Sequence, residues 1–345
     1  MATVSYDGRA ALGIAAKNKQ RAWGNVQDRG SARARFEAGD YLTIGHKPKF
    51  EIDNTSPVFT IGSCFAREVE HTLVRLGIPL ALQGHGIQAE YYQSWDEERA
   101  RGGGVRAGQK SRGAFNKYNV FSISSELKRV LLEQEFPNDG LIEIAEDKWF
   151  DPHASRLRLL PFETARQNRA IINHATSQIR QSKTVVMTLG LTEGWIDAET
   201  GLAINTPPEP GALRRHSSRF QFVDYGFREV ADELNETIQL IKERCVPDVR
   251  IVITVSPVPL GSTFQDVDVI VANTGSKSTL RSVANEMRHS FDFVDYFPSY
   301  EMVMNSPRHM AFGYDHVHIK PDMVKHIMSV FKGAYFPAAP DNEAA

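Results

Sequence analysis

Cysteine is scarce in this chain: two residues in 345, Cys64 and Cys245. That excludes a fold held together by a disulfide framework and fits a reducing compartment, so a cytoplasmic protein is expected. Long apolar runs are missing too. No stretch approaches the roughly 18 residues needed to cross a bilayer, and the first residues lack the compact apolar block of a secretory signal. A membrane span is therefore not expected. Nor is there an excess of one charge: 40 Lys and Arg stand against 42 Asp and Glu, a net charge of -2, which argues against nucleic acid as a partner. No internal repeat is visible. No Cys/His cluster has the spacing of a metal site, so no metal is expected.

What is present is an ordinary globular composition, 41% hydrophobic and 24% charged, in a chain long enough for a sizeable core. Residues 1–46 carry Arg9, Lys17, Lys19, Arg21, Arg29, Arg33 and Arg35 with few acids and no sustained period. They read as a basic arm or lid of low order. The end from Pro337, PAAPDNEAA, reads as a flexible tail over 337–345, leaving one folded domain over 47–336.

Inside that domain, short apolar runs alternate with amphipathic helical patterns. Strands are predicted at Val58–Ile61, in TVVMTLG (184–190), in VRIVITVSPVPL (249–260) and in FDFVDYF (291–297). Helical stripes run through Phe65, Val69 and Leu73, through Val230, Leu234 and Ile238, through Leu280, Val283 and Met287, and through Met323, Ile327 and Phe331 after Pro321. The expected fold is a three-layer α/β/α sandwich with a mainly parallel, doubly wound sheet, flavodoxin-like in its winding. Two stretches break the rhythm, near 95–116 and 199–222. Each reads as a surface loop that serves either as a substrate wall or as a tolerated insertion.

In such sheets ligands bind beyond the carboxyl ends of the strands. Four unusual sequences fall there: GSCF after the first strand, GLTEGW after the second, SPVPLGSTF after the third and GYDHVHIKP before the last helix. Cys64 stands at a strand-to-helix turn, where the helix N-terminus favours a thiolate; the alternative is a small buried strand-end residue. Ser63 is a weaker nucleophile candidate, since a serine before a helix commonly caps it. Asp315 lies three residues before His318, a spacing that lets a carboxylate orient an imidazole for proton transfer. His316 and His318 as metal ligands lack a third partner at a recognisable spacing. Gly190 lets a substrate approach the backbone, Thr192 could donate to an oxyanion, and Glu193 could line the site or brace its loop. Asn119 and Asn273 are polar groups near helix starts, suited to substrate contact or to capping. Lys277 and Arg281, one turn apart, could meet an anion or face solvent.

Together, FTIGSCFA, YNVFSI, TLGLTEGW, SPVPLGSTF, ANTGSKSTLR and DHVHIKP closely resemble the GSCFA family, whose name is read here in Gly62-Ser63-Cys64-Phe65-Ala66. The resemblance runs from about Val58 to about Phe336. It implies similarity to the SGNH or GDSL hydrolases, with their Gly-Asp-Ser turn, Gly-x-Asn-Asp block and Asp-x-x-His. Carried over residue by residue, Gly62 falls on the Gly, Ser63 on the Asp and Cys64 on the nucleophilic Ser. Gly190, Leu191, Thr192 and Glu193 fall on Gly-x-Asn-Asp, with Thr replacing the oxyanion Asn, and Asp315 and His318 fall on the last pair. A one-residue shift would make Ser63 the nucleophile. A similar Gly-x-Cys turn occurs in bacterial capsule-polysaccharide acetyltransferase-like proteins that bind coenzyme A.

The resemblance implies an acyltransferase or esterase. Cys64 attacks an ester or thioester carbonyl, His318 takes its proton and later activates the acceptor, Asp315 orients His318, and the Cys64 backbone N–H, Gly190, Thr192 and alternatively Ser63 are candidate oxyanion donors. Glu193 and Asn119 are candidate substrate contacts. No cofactor is required, acyl-CoA is a candidate co-substrate, and the acceptor is a glycan hydroxyl or water, as in polysaccharide biosynthesis. Arg99, Arg101, Arg106, Lys110 and Arg112, with the basic arm, are candidates to hold an anionic donor or glycan. The alternative is a catalytically degenerate protein of the same fold that binds a glycan or a partner.

Overall fold

The computed structural model describes residues 4–24, 28–82, 86–93, 110–208 and 210–336. Residues 95–109, with Arg99, Arg101 and Arg106, and the tail 337–345 lie outside the described residues. In chain order the strands are β1 (Val58–Gly62), β2 (Ile142–Ala145), β3 (Lys148–Phe150), β4 (Thr184–Leu189), β5 (Glu193–Asp197), β6 (Ala203–Ile204), β7 (Phe220–Asp224), β8 (Arg250–Val255) and β9 (Val294–Tyr296). The α-helices are α1 (Gly8–Lys17), α2 (Ala32–Glu37), α3 (Cys64–Arg75), α4 (Val120–Leu131), α5 (Phe162–Ser177), α6 (Pro210–Arg215), α7 (Phe227–Arg244), α8 (Val269–Ser290), α9 (Ser299–Met304), α10 (Arg308–Ala311) and α11 (Pro321–Tyr335).

The central sheet has the order β1-β4-β8-β9, all parallel. Every residue of β1 and β4 is buried, which is why these strands read as unbroken apolar runs: helices cover both faces. Phe59, Ile61, Val185, Met187, Ile251 and Ile253 pack toward α4, α5, α7 and α8. Val58, Val186 and Val252 pack on the other side with Phe65, Val69 and Leu73 of α3 and Met323, Ile327 and Phe331 of α11. Each of these large side chains contributes about 1.5–3 kcal/mol by leaving water. The expected three-layer α/β/α sandwich is the observed fold.

Winding locates the crevice. Right-handed crossovers from β1 to β4, β8 and β9 put their helices on one face. Helix α3 lies on the other face because the chain turns back after it, and Leu80 forms a single parallel bridge with Val58 on the free side of β1. With Leu80 counted as the outermost position, the order is that of flavodoxin-type sheets, whose switch point falls between the first strand and the one after the reversal. Here that point lies between β1 and β4. A four-residue wedge separates their carboxyl ends: Asn116 bridges Gly62, Asn119 bridges Leu191, Lys117 N–H donates to Gly62 O at 2.8 Å, and Leu191 N–H donates to Tyr118 O at 2.7 Å.

Two stretches differ from the sequence expectation. The basic arm holds helices, because Asp7 and Ser31 cap α1 and α2 with their side chains, and it docks before residue 47: Leu42 is buried and its N–H donates to Ser306 Oγ at 2.8 Å. Residues 199–222 are not a plain loop. Strand β6, helix α6 and much of β7 fall there, and β5 is the centre of an antiparallel sheet β6-β5-β7. Its strands are short and its outward positions polar, so neither a period nor a long apolar run announces it.

Candidate active site

Gly62 ends β1 with φ of 138°, and a Cβ there would meet Thr188 O at 2.2 Å. Only glycine fits a left-handed backbone pressed against the neighbouring strand. The next residue, Ser63, occupies the N-cap position of α3 but makes no capping hydrogen bond. Its hydroxyl is buried, the residue 3% exposed, without a partner. Asn116 Oδ1 and Thr188 Oγ1, on the residues that flank Gly62, are likewise buried and unpaired among the described residues. Buried polar groups rarely stay unpaired in a protein, so an accumulation at one strand end calls for a ligand or water.

Cys64 begins α3 and is half-buried. It lines a cavity of about 290 Å³ together with Ser63, Gly190, Leu191, Trp195 and Ser256. The far wall comes from Ile204 to Pro207, Phe222 and the loop Val258–Ser262 with Phe264. The sequence expectation of a thiolate stabilised by the helix terminus needs correcting. Burial pushes the Cys64 thiol above its usual value, and Arg156 and Lys277 only partly offset it while Glu68 adds to the rise.

Lys277 is the residue that sequence reasoning left unplaced. It is 1% exposed, and Nζ donates to Gly190 O at 2.6 Å and Val258 O at 2.8 Å, both carbonyls of cavity-lining residues. Both acceptors are neutral. Burial brings its pKa down to about 7, while the Cys64 charge acts to raise it. Its neighbour in the sequence argument, Arg281, goes elsewhere: Nε pairs with Glu301 at 2.5 Å and the guanidinium lies over Tyr296.

The Asp315–His318 pair is formed. His318 Nδ1 lies 2.6 Å from Asp315 Oδ2, and Asp315 Oδ1 accepts from Val317 N–H and His318 N–H. Burial acts to raise the Asp315 pKa, but these bonds outweigh it and hold the carboxyl below its usual range. With Nδ1–H on the carboxylate, Nε2 is the proton-accepting atom, and the ring is 43% exposed. His316 is exposed with φ of 54°, a turn residue whose carbonyl accepts from Arg308. The pair lies at the same edge of the sheet as Cys64. Ile52, ahead of β1, donates its N–H to Tyr335 O at the end of α11, and α11 packs along α3. The N-terminus of α11, just after His318, therefore points to the carboxyl edge. His318 and Asp315 are not among the residues lining the Cys64 cavity.

The other expected contacts are distributed differently. Gly190 lines the cavity, and a Cβ there would meet Tyr118 O at 2.4 Å. Thr192 does not line it: its hydroxyl donates to Asp224 at 2.8 Å and its N–H to Ser276 Oγ, which ties β5 to β7 and to α8. Asn119 caps α4 through Ser122 N–H at 2.7 Å, in a reciprocal capping box. Glu193 lines the cavity, yet its carboxylate is held by Thr263 Oγ1, Phe264 N–H and Gln265 Nε2, so it braces the loop after β8. Asn273 also braces that loop, accepting from Leu260 N–H at 3.1 Å. Asn205, absent from the sequence argument, donates to Asn116 O and accepts from Tyr118 N–H and Ser122 Oγ, locking the wedge.

A parallel, doubly wound α/β protein with a cysteine on the strand-to-helix turn of its switch point is the class these features define. The GSCFA family model matches residues 57–331, and the chain belongs to that family. No curated protein and no solved structure matches it. Among the described residues, no helix is long and apolar enough to cross a membrane.

Proposed function

We propose that this protein is an acyltransferase or ester hydrolase that works through a thioester on Cys64. The observation that carries the proposal is the end of β1: a cysteine on the cavity wall, a serine hydroxyl beside it and a buried lysine bonded to that wall, the hydroxyl unpaired and the lysine without a carboxylate partner among the described residues.

The division of proton duties follows from the two basic groups. A neutral lysine amine has two N–H bonds and one lone pair. The carbonyls of Gly190 and Val258 take the two N–H bonds and leave the lone pair for the thiol proton. As Cys64 Sγ attacks the carbonyl carbon, its proton passes to Lys277 and the C–S bond forms. Backbone N–H of Cys64 and the Ser63 hydroxyl serve the oxyanion. The leaving thiolate or alkoxide departs with the proton from Lys277. His318 Nε2, oriented by Asp315, then deprotonates the acceptor, a glycan hydroxyl or water, which attacks the thioester; Cys64 leaves as a thiolate, and the proton held by His318 returns to it through solvent, restoring the thiol. The sequence reading gave both proton transfers to His318; the first is assigned here to Lys277 because its Nζ is held by Gly190 O and Val258 O, two residues of the wall that Cys64 lines, whereas His318 does not line that cavity.

The test is turnover of a panel of acyl thioesters and aryl esters, with and without sugar acceptors. Release of thiol or phenol that collapses in His318→Ala only at the deacylation stage supports the scheme. Saturable ligand binding with no turnover by any donor contradicts it and favours the binding-only alternative. Lys277→Met gives a separate expected result. Without the neighbouring base and cation, the pH profile of Cys64 alkylation by iodoacetamide moves up by about one unit or more. An unmoved profile in a folded variant means that Lys277 serves packing alone.

A further inference from the structure

The walls of the cavity say which part of a substrate enters it. Trp195, Phe222 and Phe264 pack edge to face on one side, with Trp195 and Phe264 centroids 5.0 Å apart at 88° and Trp195 and Phe222 5.5 Å apart. Leu191, Ile204, Val258 and Leu260 make up much of the rest. The larger polar groups within the walls are already used, while the hydroxyls of Thr206 and Ser262 have no partner among the described residues. Glu193 is held by three donors of the loop after β8, and the Asn205 amide is bonded to Asn116, Tyr118 and Ser122. Ser256 Oγ accepts from Val258 N–H. A sugar ring in this space would meet the Ser63, Thr206, Ser256 and Ser262 hydroxyls but otherwise a mostly aromatic and aliphatic wall, and each ring hydroxyl left unpaired would cost binding. Among the described residues no lysine or arginine lines the cavity, so those walls offer no cation to the phosphates of a donor. The unpaired Ser63 hydroxyl sits beside Cys64, at the reactive end.

Resting on the acyl-transfer reading, we propose that this cavity binds the apolar acyl chain of the donor, a chain of roughly eight carbons, and selects it over acetyl. Volume sets the limit. An apolar cavity of about 150 Å³ holds the six carbons of one benzene ring, so this one, about 290 Å³, takes at most about twelve carbons and holds eight with room for the thioester head. The acceptor reaches Cys64 from outside the apolar walls, at the sheet edge that carries His318.

Two measurements test the proposal and keep it separate from the reading beneath it. The first is the rate of Cys64 acylation by a series of acyl-CoAs from acetyl to dodecanoyl. The expected result is a rise of about threefold to fourfold per methylene, reaching on the order of 10³-fold for octanoyl over acetyl, and then a fall. In Gly261→Phe the optimum moves to shorter chains. Gly261 lines the cavity and a Cβ there meets nothing within 4 Å, so the substitution is tolerated by the backbone. The second is calorimetric binding of octanoyl-CoA and acetyl-CoA to Cys64→Ala, which requires no chemistry. Acylation that is flat with chain length or best with acetyl overturns the chain proposal and leaves acyl transfer standing. Tight octanoyl binding without any acylation of the wild type supports the apolar site and overturns acyl transfer. Neither binding nor acylation overturns both.

Discussion

On the proposed acyl-transfer chemistry, Cys64→Ala is expected to lose turnover by at least about 10³-fold, the scale that follows removal of a covalent nucleophile. The loss is in chemistry rather than folding. Cys64 is half-buried at the first position of α3, and alanine is a good helix former that removes one sulfur from a cavity wall. Urea unfolding of the variant therefore stays within about 1 kcal/mol of wild type. Cys64→Ser retains part of the activity, because an amine behind a serine can still accept its proton. Retention of full turnover in Cys64→Ala, with Ser63→Ala inactive, would transfer the nucleophile's role to Ser63.

The second large effect is on stability, at a charge cluster packed under the wedge. Glu126 and Asp151 are buried with Lys117, Arg129 and Arg169. Lys117 Nζ meets Glu126 at 2.5 Å, and Arg169 bridges both carboxylates, with Nη1 2.9 Å from Glu126 and Nη2 2.8 Å from Asp151. Arg129 and Arg169 also lie over the Phe136 ring. Glu126→Gln leaves three cations facing one carboxylate. Breaking a buried pair by removing one partner costs about 3–5 kcal/mol, because the remaining charge stays desolvated. Burial acts to raise both carboxyl pKa values, but the surrounding cations hold both below the usual range. Their contribution is therefore fully present above the unfolded value near pH 4 and is lost as pH falls through the folded values. The variant should also lose part of this acid sensitivity. A change under about 1 kcal/mol in urea unfolding at pH 7 would mean that the cluster is hydrated and the wedge is held by other bonds. The link to function is direct, since Lys117 N–H bonds Gly62 O two residues before Cys64.

The fold was legible where burial is two-sided. Strands β1, β4, β8 and β9 are apolar runs because both faces are covered, and the stripe of α3 is apolar because only one face is. The single bridge at Leu80, which decides the winding, left no pattern, being one residue of pairing. The antiparallel sheet β6-β5-β7 was hidden because its short strands take their place from contacts with the cavity loop, not from local preference.

At the site, the motif order in the sequence indicated Cys64 and the Asp315–His318 pair. What the motif could not show was how buried the thiol is, since helix-end stabilisation and desolvation oppose one another and only packing decides between them. Lys277 did leave a signal: it lies three residues before Leu280 and seven before Ala284, on the buried stripe of α8, where a lysine must find a purpose. Thr192 and Asn119 misled because a short polar side chain serves a cap or a strand tie as readily as a substrate, and sequence alone does not show which acceptor is nearest.

The most direct test of the account is to trap the intermediate. Wild-type protein is mixed with octanoyl-CoA, quenched in acid within the first turnover and digested, and the acylated peptide is sequenced by mass spectrometry. The account predicts one acyl group on Cys64, cleaved by neutral hydroxylamine as a thioester, and persisting longer in His318→Ala. An acyl group on Ser63 or Lys277, or turnover with no covalent adduct at any quench time, would contradict it.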